Sequence, residues 1–159
     1  MIRIGILGDI GSGKSYVAQQ FGYPVFNADN EVQNLYKKNK KCFKKLKKKF
    51  PKYIFTFPVK KNEISKAILK EKNNLKKIIK IIHPEIRLKM KIFLKKNRKK
   101  KIVILDIPLL IENKINKKND VLIFIQAEKQ EINKRLKKRN NFNLKILKKF
   151  KKLQLPLEI

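Results

Sequence analysis

The sequence has one cysteine, no tryptophan and no long apolar run. Cys42 stands alone among 159 residues, which excludes an internal disulfide and favours a reducing compartment. The apolar stretches are too short to cross a bilayer, and the first residues lead into a strand rather than a signal peptide. We therefore expect a cytoplasmic protein without a membrane-spanning segment.

Acidic residues are also scarce, because 12 Asp and Glu residues face 43 Lys and Arg residues, for a formal net charge of +31. Such an excess can mark a nucleic-acid-binding protein. Here, however, Ile and Asn are enriched together with Lys, and the first 36 residues carry only Arg3 and Lys14 as cations. This pattern is typical of a composition biased toward A and T. We expect no specific nucleic-acid partner, although the positive field would attract an anionic substrate.

Glycine is confined to one end of the chain, at positions 5, 8, 11, 13 and 22. In a composition that otherwise avoids glycine, these positions indicate tight turns or close approach of the backbone to a ligand. Residues 8–15 read Gly-Asp-Ile-Gly-Ser-Gly-Lys-Ser and match G-x-x-x-x-G-K-[ST] at every fixed position. An apolar strand predicted at 2–7 precedes this motif and a helix predicted at 14–21 follows it, as a phosphate-binding loop requires.

In such a loop the backbone N–H groups bind phosphate oxygens, with help from the helix N-terminus. Lys14 would contact the β- and γ-phosphates of ATP, and the Ser15 hydroxyl would bind Mg²⁺. A plain glycine-rich turn is the alternative, and the lysine and serine argue against it. The expected phosphate-binding residues are Gly8, Gly11, Ser12, Gly13, Lys14 and Ser15.

Strands alternate with helices along the rest of the chain. Further strands are predicted at 23–26, 102–105 and 121–125. Helices are predicted at 31–50, 63–82, 129–138 and 144–153, with another beginning at Pro84. This order predicts an α/β fold with a parallel sheet and helices on both faces. The length favours a single domain over residues 1–159.

Two carboxylates are expected at the carboxyl edge of the sheet, where ligands bind in open α/β folds. Asp106 ends the third strand and would bind the metal beside the phosphate loop, or else cap the segment that begins at Pro108. Asp29 closes the second strand and could accept a proton from an acceptor hydroxyl. An Asx turn or helix cap is the alternative for Asp29.

Three other polar residues are candidates on weaker grounds. His83 is the only histidine and precedes Pro84 at an expected helix junction, where packing or capping is the alternative to a direct role. Arg135 and Arg139 lie four residues apart on one predicted helix face. Arginine suits bidentate contact with phosphate, and a solvated helix face is the alternative.

Taken together and in order, these segments resemble the dephospho-coenzyme A kinase family. The resemblance covers the whole chain and is more specific than the phosphate loop alone. The segments that carry it are residues 6–15, Asn27-Ala28-Asp29, His83-Pro84, Pro108-Leu109-Leu110-Ile111-Glu112 and the spaced Arg135 and Arg139.

The resemblance implies a three-layer P-loop NTPase fold and ATP-dependent phosphorylation of the ribose 3′-hydroxyl of dephospho-CoA. Asp29 and Lys14 would be catalytic, and Tyr16 and Arg139 would lie at the nucleotide. A helical acceptor-binding subdomain is expected at about 31–98 and a lid at about 129–150. We expect a monomer. The residues expected at the acceptor are Asp29, His83, Pro108, Leu109 and Glu112.

The sequence departs from the family pattern in three places. Asn27 replaces the first aspartate of a pair, and Tyr16 replaces a threonine after the loop serine. The resemblance also implies a further strand and a final helix beyond residue 159, so we expect that the C-terminal part is missing. The alternatives left open are another P-loop nucleoside or nucleotide kinase and a basic, non-catalytic P-loop protein that binds nucleic acid.

Overall fold

The computed structural model of the chain describes residues 1–108, 115–139 and 143–154. Within these ranges the chain forms four strands and seven helices. The strands are β1 (Ile2–Gly8), β2 (Val25–Asn27), β3 (Ile102–Asp106) and β4 (Val121–Ile125). The helices are α1 (Lys14–Gln20), α2 (Ala28–Lys38), α3 (Lys40–Lys49), α4 (Lys61–Lys70), α5 (Asn74–Lys96), α6 (Lys129–Lys137) and α7 (Leu144–Lys151).

The four strands form one parallel sheet in the order β2-β3-β1-β4. The two inner strands, β3 and β1, are the most buried, and Val103, Ile104 and Leu105 of β3 are fully buried, as expected for a strand covered on both faces. The structure thus confirms the predicted α/β fold with a parallel sheet. Because all strands run the same way, β1, β2 and β3 present their carboxyl ends at one edge.

Helices cover both faces of this sheet. On one face Ala18 of α1 packs with Ile4, Ile6 and Ile104, each burial of an isoleucine contributing about 1.5–3 kcal/mol. Val25 also packs against this cluster. Its neighbour Phe26 therefore points to the opposite face, where its ring lies 5.5 Å from the ring of Phe93 in the last turns of α5.

The chain divides into two compact units. One comprises Met1–Ala28 and Phe93–Ile159 and contains the sheet, and the other is Asp29–Ile92. The second unit is helical, and its buried residues recur at helical spacing. They include Leu35, Cys42, Leu46, Ile64, Ile68, Leu75, Ile78, Ile82 and Ile86. The sequence predicted a helical segment at about 31–98.

Several helix boundaries differ from prediction. The single helix expected at 63–82 is interrupted, because α4 ends at Lys70 and α5 begins at Asn74. The single helix expected at 31–50 is interrupted at Asn39, whose side chain accepts a hydrogen bond from the Cys42 amide at 2.8 Å and caps α3. The expected new helix at Pro84 is also wrong, because α5 continues through that residue. A proline inside a helix costs about 3 kcal/mol. The buried stripe that continues on both sides of Pro84 offsets this cost.

Candidate active site

The phosphate loop joins the end of β1 to the start of α1, as the motif predicts. Gly13 precedes the first residue of α1 with a left-handed φ of 99°, and its carbonyl oxygen accepts the first helical hydrogen bond, from Val17, at 3.1 Å. The Ser12 amide donates to the Asp9 carbonyl oxygen at 3.1 Å. These bonds fix the loop backbone at a helix N-terminus, which is a favourable position for an anion.

The loop begins against the end of β4. A Cβ added at Gly8 would clash with the main-chain carbonyl oxygen of Ile125, and Gly8 has a φ of +138°. Gly8 and Ile125 are also paired in the sheet register. A backbone oxygen in a parallel sheet cannot move aside, so only glycine fits at this position.

Helix α6 packs on the middle of the loop. A Cβ at Gly11 would lie 3.0 Å from Leu136 Cγ and 3.2 Å from Ile132 Cγ2. Leu136 and Ile132 are both buried. On the same helix Arg135 donates from Nη1 to the carbonyl oxygen of Ser12 at 3.0 Å. An apolar contact and a charged hydrogen bond therefore hold the loop against α6, a role for Arg135 that sequence reasoning missed.

Lys14 is half-buried and bonded to the loop that carries it. Its Nζ donates to the carbonyl oxygens of Gly8 at 2.8 Å and Asp9 at 2.6 Å. These bonds hold the ammonium group over the first residues of the loop. A lysine so placed supplies a positive charge beside the backbone N–H groups that would meet phosphate oxygens.

Asp106 and Ser15, the two predicted metal ligands, are brought together through Asn27. Asn27 and Asp106 are partners in the register of β2 and β3, and Asn27 Nδ2 donates to Asp106 Oδ2 at 2.5 Å. The same nitrogen lies 3.4 Å from Ser15 Oγ. Asp106 is only 3% exposed. A buried carboxylate with a charge-assisted hydrogen bond thus lies near the hydroxyl that opens α1.

Asp29 does not close a strand, so that expectation is wrong. β2 ends at Asn27 and α2 begins at Ala28, which places Asp29 in the first turn of α2 together with Glu31. An acidic residue there stabilises the helix through its dipole. Asp29 is exposed and follows Asn27 by two residues along the chain.

Comparison with known proteins decides the family. The family model described as dephospho-CoA kinase matches residues 2–158. The chain belongs to the dephospho-CoA kinase family. Two curated dephospho-CoA kinases show how similar the relatives are. The Wolbachia pipientis protein is 34% identical over 86% of this chain and 73% of its own length. The protein from the Wolbachia of Brugia malayi is 32% identical over 98% of this chain and 82% of its own length.

Solved structures support the same fold. A crystal structure of a Thermus thermophilus protein matches with a TM-score of 0.71 and 27% identity, over 98% of this chain and 81% of that one. The dephospho-CoA kinase from Campylobacter jejuni matches with a TM-score of 0.56 and 21% identity, over 96% of this chain and 79% of that one. The P-loop fold class expected from the sequence is thereby confirmed.

The other residues expected from the dephospho-CoA kinase resemblance are more scattered. Tyr16 points outward from α1 and is 70% exposed. Arg139 is exposed just after α6, where its amide donates to the Leu136 carbonyl oxygen at 3.2 Å. Pro108 is half-buried shortly after β3. Leu109 and Glu112 lie outside the described residues.

His83 lies within α5, in the helical unit. Burial, followed by the nearby Arg87 guanidinium, lowers the pKa of His83 from its ordinary value of 6.5. The residue borders a cleft of about 540 Å³ along one face of the helix. The cleft is lined by Lys80, His83, Pro84, Arg87, Leu88 and Lys91. The N–H of an imidazole in such a cleft can donate one hydrogen bond to an anionic ligand.

No helix in the part of the chain that the structure describes is long and apolar enough to cross a membrane.

Replacing Arg135 with glutamine should loosen the phosphate loop of this dephospho-CoA kinase family member. The variant loses the charged hydrogen bond to Ser12, which is worth about 1.5–3 kcal/mol, so the KM for ATP should rise about tenfold and the melting temperature should fall by several degrees. Hydrogen exchange at the amides of residues 11–14 should become faster. Lys137→Gln removes a charge from the same helix and should change neither the KM for ATP nor hydrogen exchange in the loop. Equal behaviour of the two variants would contradict the role given to Arg135.

Proposed function

We propose that the chain transfers the γ-phosphoryl group of ATP to the ribose 3′-hydroxyl of dephospho-CoA and releases ADP. The observation that carries this proposal is the arrangement at the carboxyl edge of the sheet. There the phosphate loop with Lys14, the Ser15 hydroxyl and the buried Asp106 carboxylate converge. A family match over residues 2–158 supports dephospho-CoA as the acceptor.

The loop binds the phosphates of ATP in this proposal. Its backbone N–H groups and the N-terminus of α1 contact phosphate oxygens. The Lys14 ammonium exchanges its contacts with loop carbonyl oxygens for contacts with the β- and γ-phosphates. These donors are in place before the reaction, so they stabilise the charge that develops in the transition state without reorganisation.

Ser15 and Asp106 are the proposed protein ligands of Mg²⁺. A hydroxyl and a carboxylate are hard oxygen donors, and Mg²⁺ is commonly bound by one or two protein groups together with water and substrate phosphates. Within the described ranges no group of three or more His, Cys, Asp and Glu side chains could hold a metal ion. Phosphate and water oxygens would therefore complete the coordination. When bound, the cation neutralises charge on the β- and γ-phosphates.

Asp29 is the proposed general base. Its carboxylate takes the proton of the 3′-hydroxyl as the oxygen forms its bond to the γ-phosphorus. The bond between that phosphorus and the β–γ bridging oxygen breaks, and ADP leaves in line. Its exposed position two residues after Asn27 supports this role.

The remaining residues expected from the resemblance are proposed to bind the two substrates. His83 and Pro108, with Leu109 and Glu112, would contact the acceptor, and the helical segment at about 31–98 would hold it. Tyr16 and Arg139 would contact ATP, and residues 129–150 would form the lid. The charge of +31 would draw in both anionic substrates. We also propose that the protein is a cytoplasmic monomer.

The test is an assay that couples ADP formation to NADH oxidation, with dephospho-CoA, adenosine and AMP as competing acceptors. We expect turnover with dephospho-CoA, and a product whose new phosphate is on the 3′-oxygen by ³¹P NMR. A higher kcat/KM for AMP or adenosine would instead indicate another nucleotide or nucleoside kinase. Salt-sensitive RNA binding without turnover on any acceptor would contradict the proposed enzyme.

A further inference from the structure

Asn27 lies within hydrogen-bond reach of both proposed metal ligands. Its Nδ2 atom donates to Asp106 Oδ2 at 2.5 Å and lies 3.4 Å from Ser15 Oγ. An amide group carries two N–H donors, so one nitrogen can serve both oxygens. The orientation of the amide follows from chemistry, because its own oxygen could not approach a carboxylate oxygen this closely.

This contact constrains the carboxylate of Asp106. The side chain is 3% exposed, and a buried carboxylate needs hydrogen-bond donors to remain charged. Asn27 supplies a donor from the neighbouring strand, in register with Asp106. With Oδ2 engaged in this way, the orientation of the carboxylate is restricted.

The neutral side chain also sets the charge of the site. Asp106 and Ser15 together contribute one negative charge. Mg²⁺ gives up its water reluctantly and needs negative oxygens to compensate. One carboxylate and one hydroxyl therefore bind the cation weakly, and the phosphates of the nucleotide have to supply the rest.

We propose that Asn27 is a positioning residue that orients Asp106 and Ser15 and makes cation binding depend on the nucleotide, so that Mg²⁺ enters with ATP rather than before it. This inference rests on the proposed phosphoryl-transfer function, since it concerns the same site. It assigns a role to a side chain that the sequence presents only as a replacement of aspartate.

The decisive variant is Asn27→Asp. Two carboxylates at this distance repel each other, and a divalent cation between them relieves that repulsion. The variant should therefore bind Mg²⁺ in the absence of nucleotide. Its melting temperature should rise by about 3 °C when Mg²⁺ is added at ten times the dissociation constant. The wild-type protein should show no such rise at the same concentration. Asn133→Asp adds the same charge on the exposed face of α6 and should behave as wild type.

A second variant keeps the test decisive if Asn27→Asp does not fold. Asn27→Ala removes the donor without adding charge. It should weaken binding of Mn²⁺ in the presence of ATP by about tenfold or more, as the loss of a group that orients a metal ligand does. Electron paramagnetic resonance of free Mn²⁺ measures this without any turnover. We expect ATP binding without metal to change less than twofold.

Three results would overturn the inference. Mg²⁺ alone could raise the melting temperature of the wild-type protein as much as that of Asn27→Asp, or a folded Asn27→Asp protein could show no rise with Mg²⁺. The third is Mn²⁺ binding by Asn27→Ala that equals wild type. All these measurements use cation and ATP binding only. Failure of the proposed acceptor chemistry would leave them intact, so the two failures can be told apart.

Discussion

Replacing Lys14 with alanine should reduce kcat by at least about 10²–10³-fold, with dephospho-CoA and ATP both saturating. Its ammonium group is the side-chain charge that the loop holds beside the expected phosphate position, through bonds of 2.8 and 2.6 Å to Gly8 and Asp9. The fold should persist with a lower melting temperature, because two hydrogen bonds from a charged group are worth about 1.5–3 kcal/mol each, against a total stability of about 5–15 kcal/mol for a domain. Steady-state kinetics and a thermal unfolding curve on the same preparation measure both effects.

The control for Lys14→Ala has to account for a chain that carries 43 cationic residues. Lys52→Ala removes one positive charge from an exposed position in the helical unit and should leave kcat within about twofold. If both variants lost activity equally, the overall field would be responsible rather than the loop. Near-normal activity of Lys14→Ala would remove the basis for assigning this loop to ATP.

Replacing Asp29 with asparagine should lower kcat by about 10²–10⁴-fold, the usual contribution of a general base, while the dissociation constant for ATP changes little. The substitution keeps the size of the side chain and removes its ability to take a proton. Single-turnover transfer to dephospho-CoA and calorimetric titration with ATP separate the two quantities.

The competing explanation for Asp29 is structural, since an acidic residue in the first turn of α2 stabilises that helix by about 0.3–1 kcal/mol. Glu31→Gln provides the matched control, because Glu31 lies in the same turn. Both variants should lose a similar small amount of stability, and only Asp29→Asn should have a much lower kcat. If Asp29→Asn lost ATP binding and kcat to the same extent, its assignment as general base would be wrong, and Asp29 would be a structural residue.

The parts of the fold that could be predicted are those that local chemistry decides. β1, β3 and β4 are short apolar runs, and their observed bounds are within one residue of the predicted ones. The glycine-rich motif has one context that suits it, a strand followed by a helix, and the structure has that context. Here burial and backbone geometry act over a few neighbouring residues, so the sequence is sufficient.

Where packing competes with a local rule, sequence reasoning was wrong. Proline disfavours a helix interior, yet α5 continues through Pro84 because Ile82 and Ile86, two residues to either side, are both buried. The start of α2 at Ala28 rather than at residue 31 placed Asp29 in a helix. Both errors concern boundaries that the rest of the unit determines.

The contacts at the candidate site could not be predicted, because they depend on which strands are neighbours. Asn27 meets Asp106 only because β2 and β3 pair with this register, and a shift of one residue would point one of them to the other face. The packing of α6 on the loop likewise joins residues that are more than a hundred positions apart.

The surroundings of the phosphate loop determine whether it could be moved to another protein. The motif occupies eight consecutive residues, but the neighbours that dictate its composition come much later in the chain, at the Ile125 carbonyl oxygen and at Leu136 and Arg135. A graft of residues 8–15 onto another strand–helix junction would carry the glycines without the atoms that require them. The loop therefore cannot be grafted by itself, and a functional graft would need β4 and α6 as well.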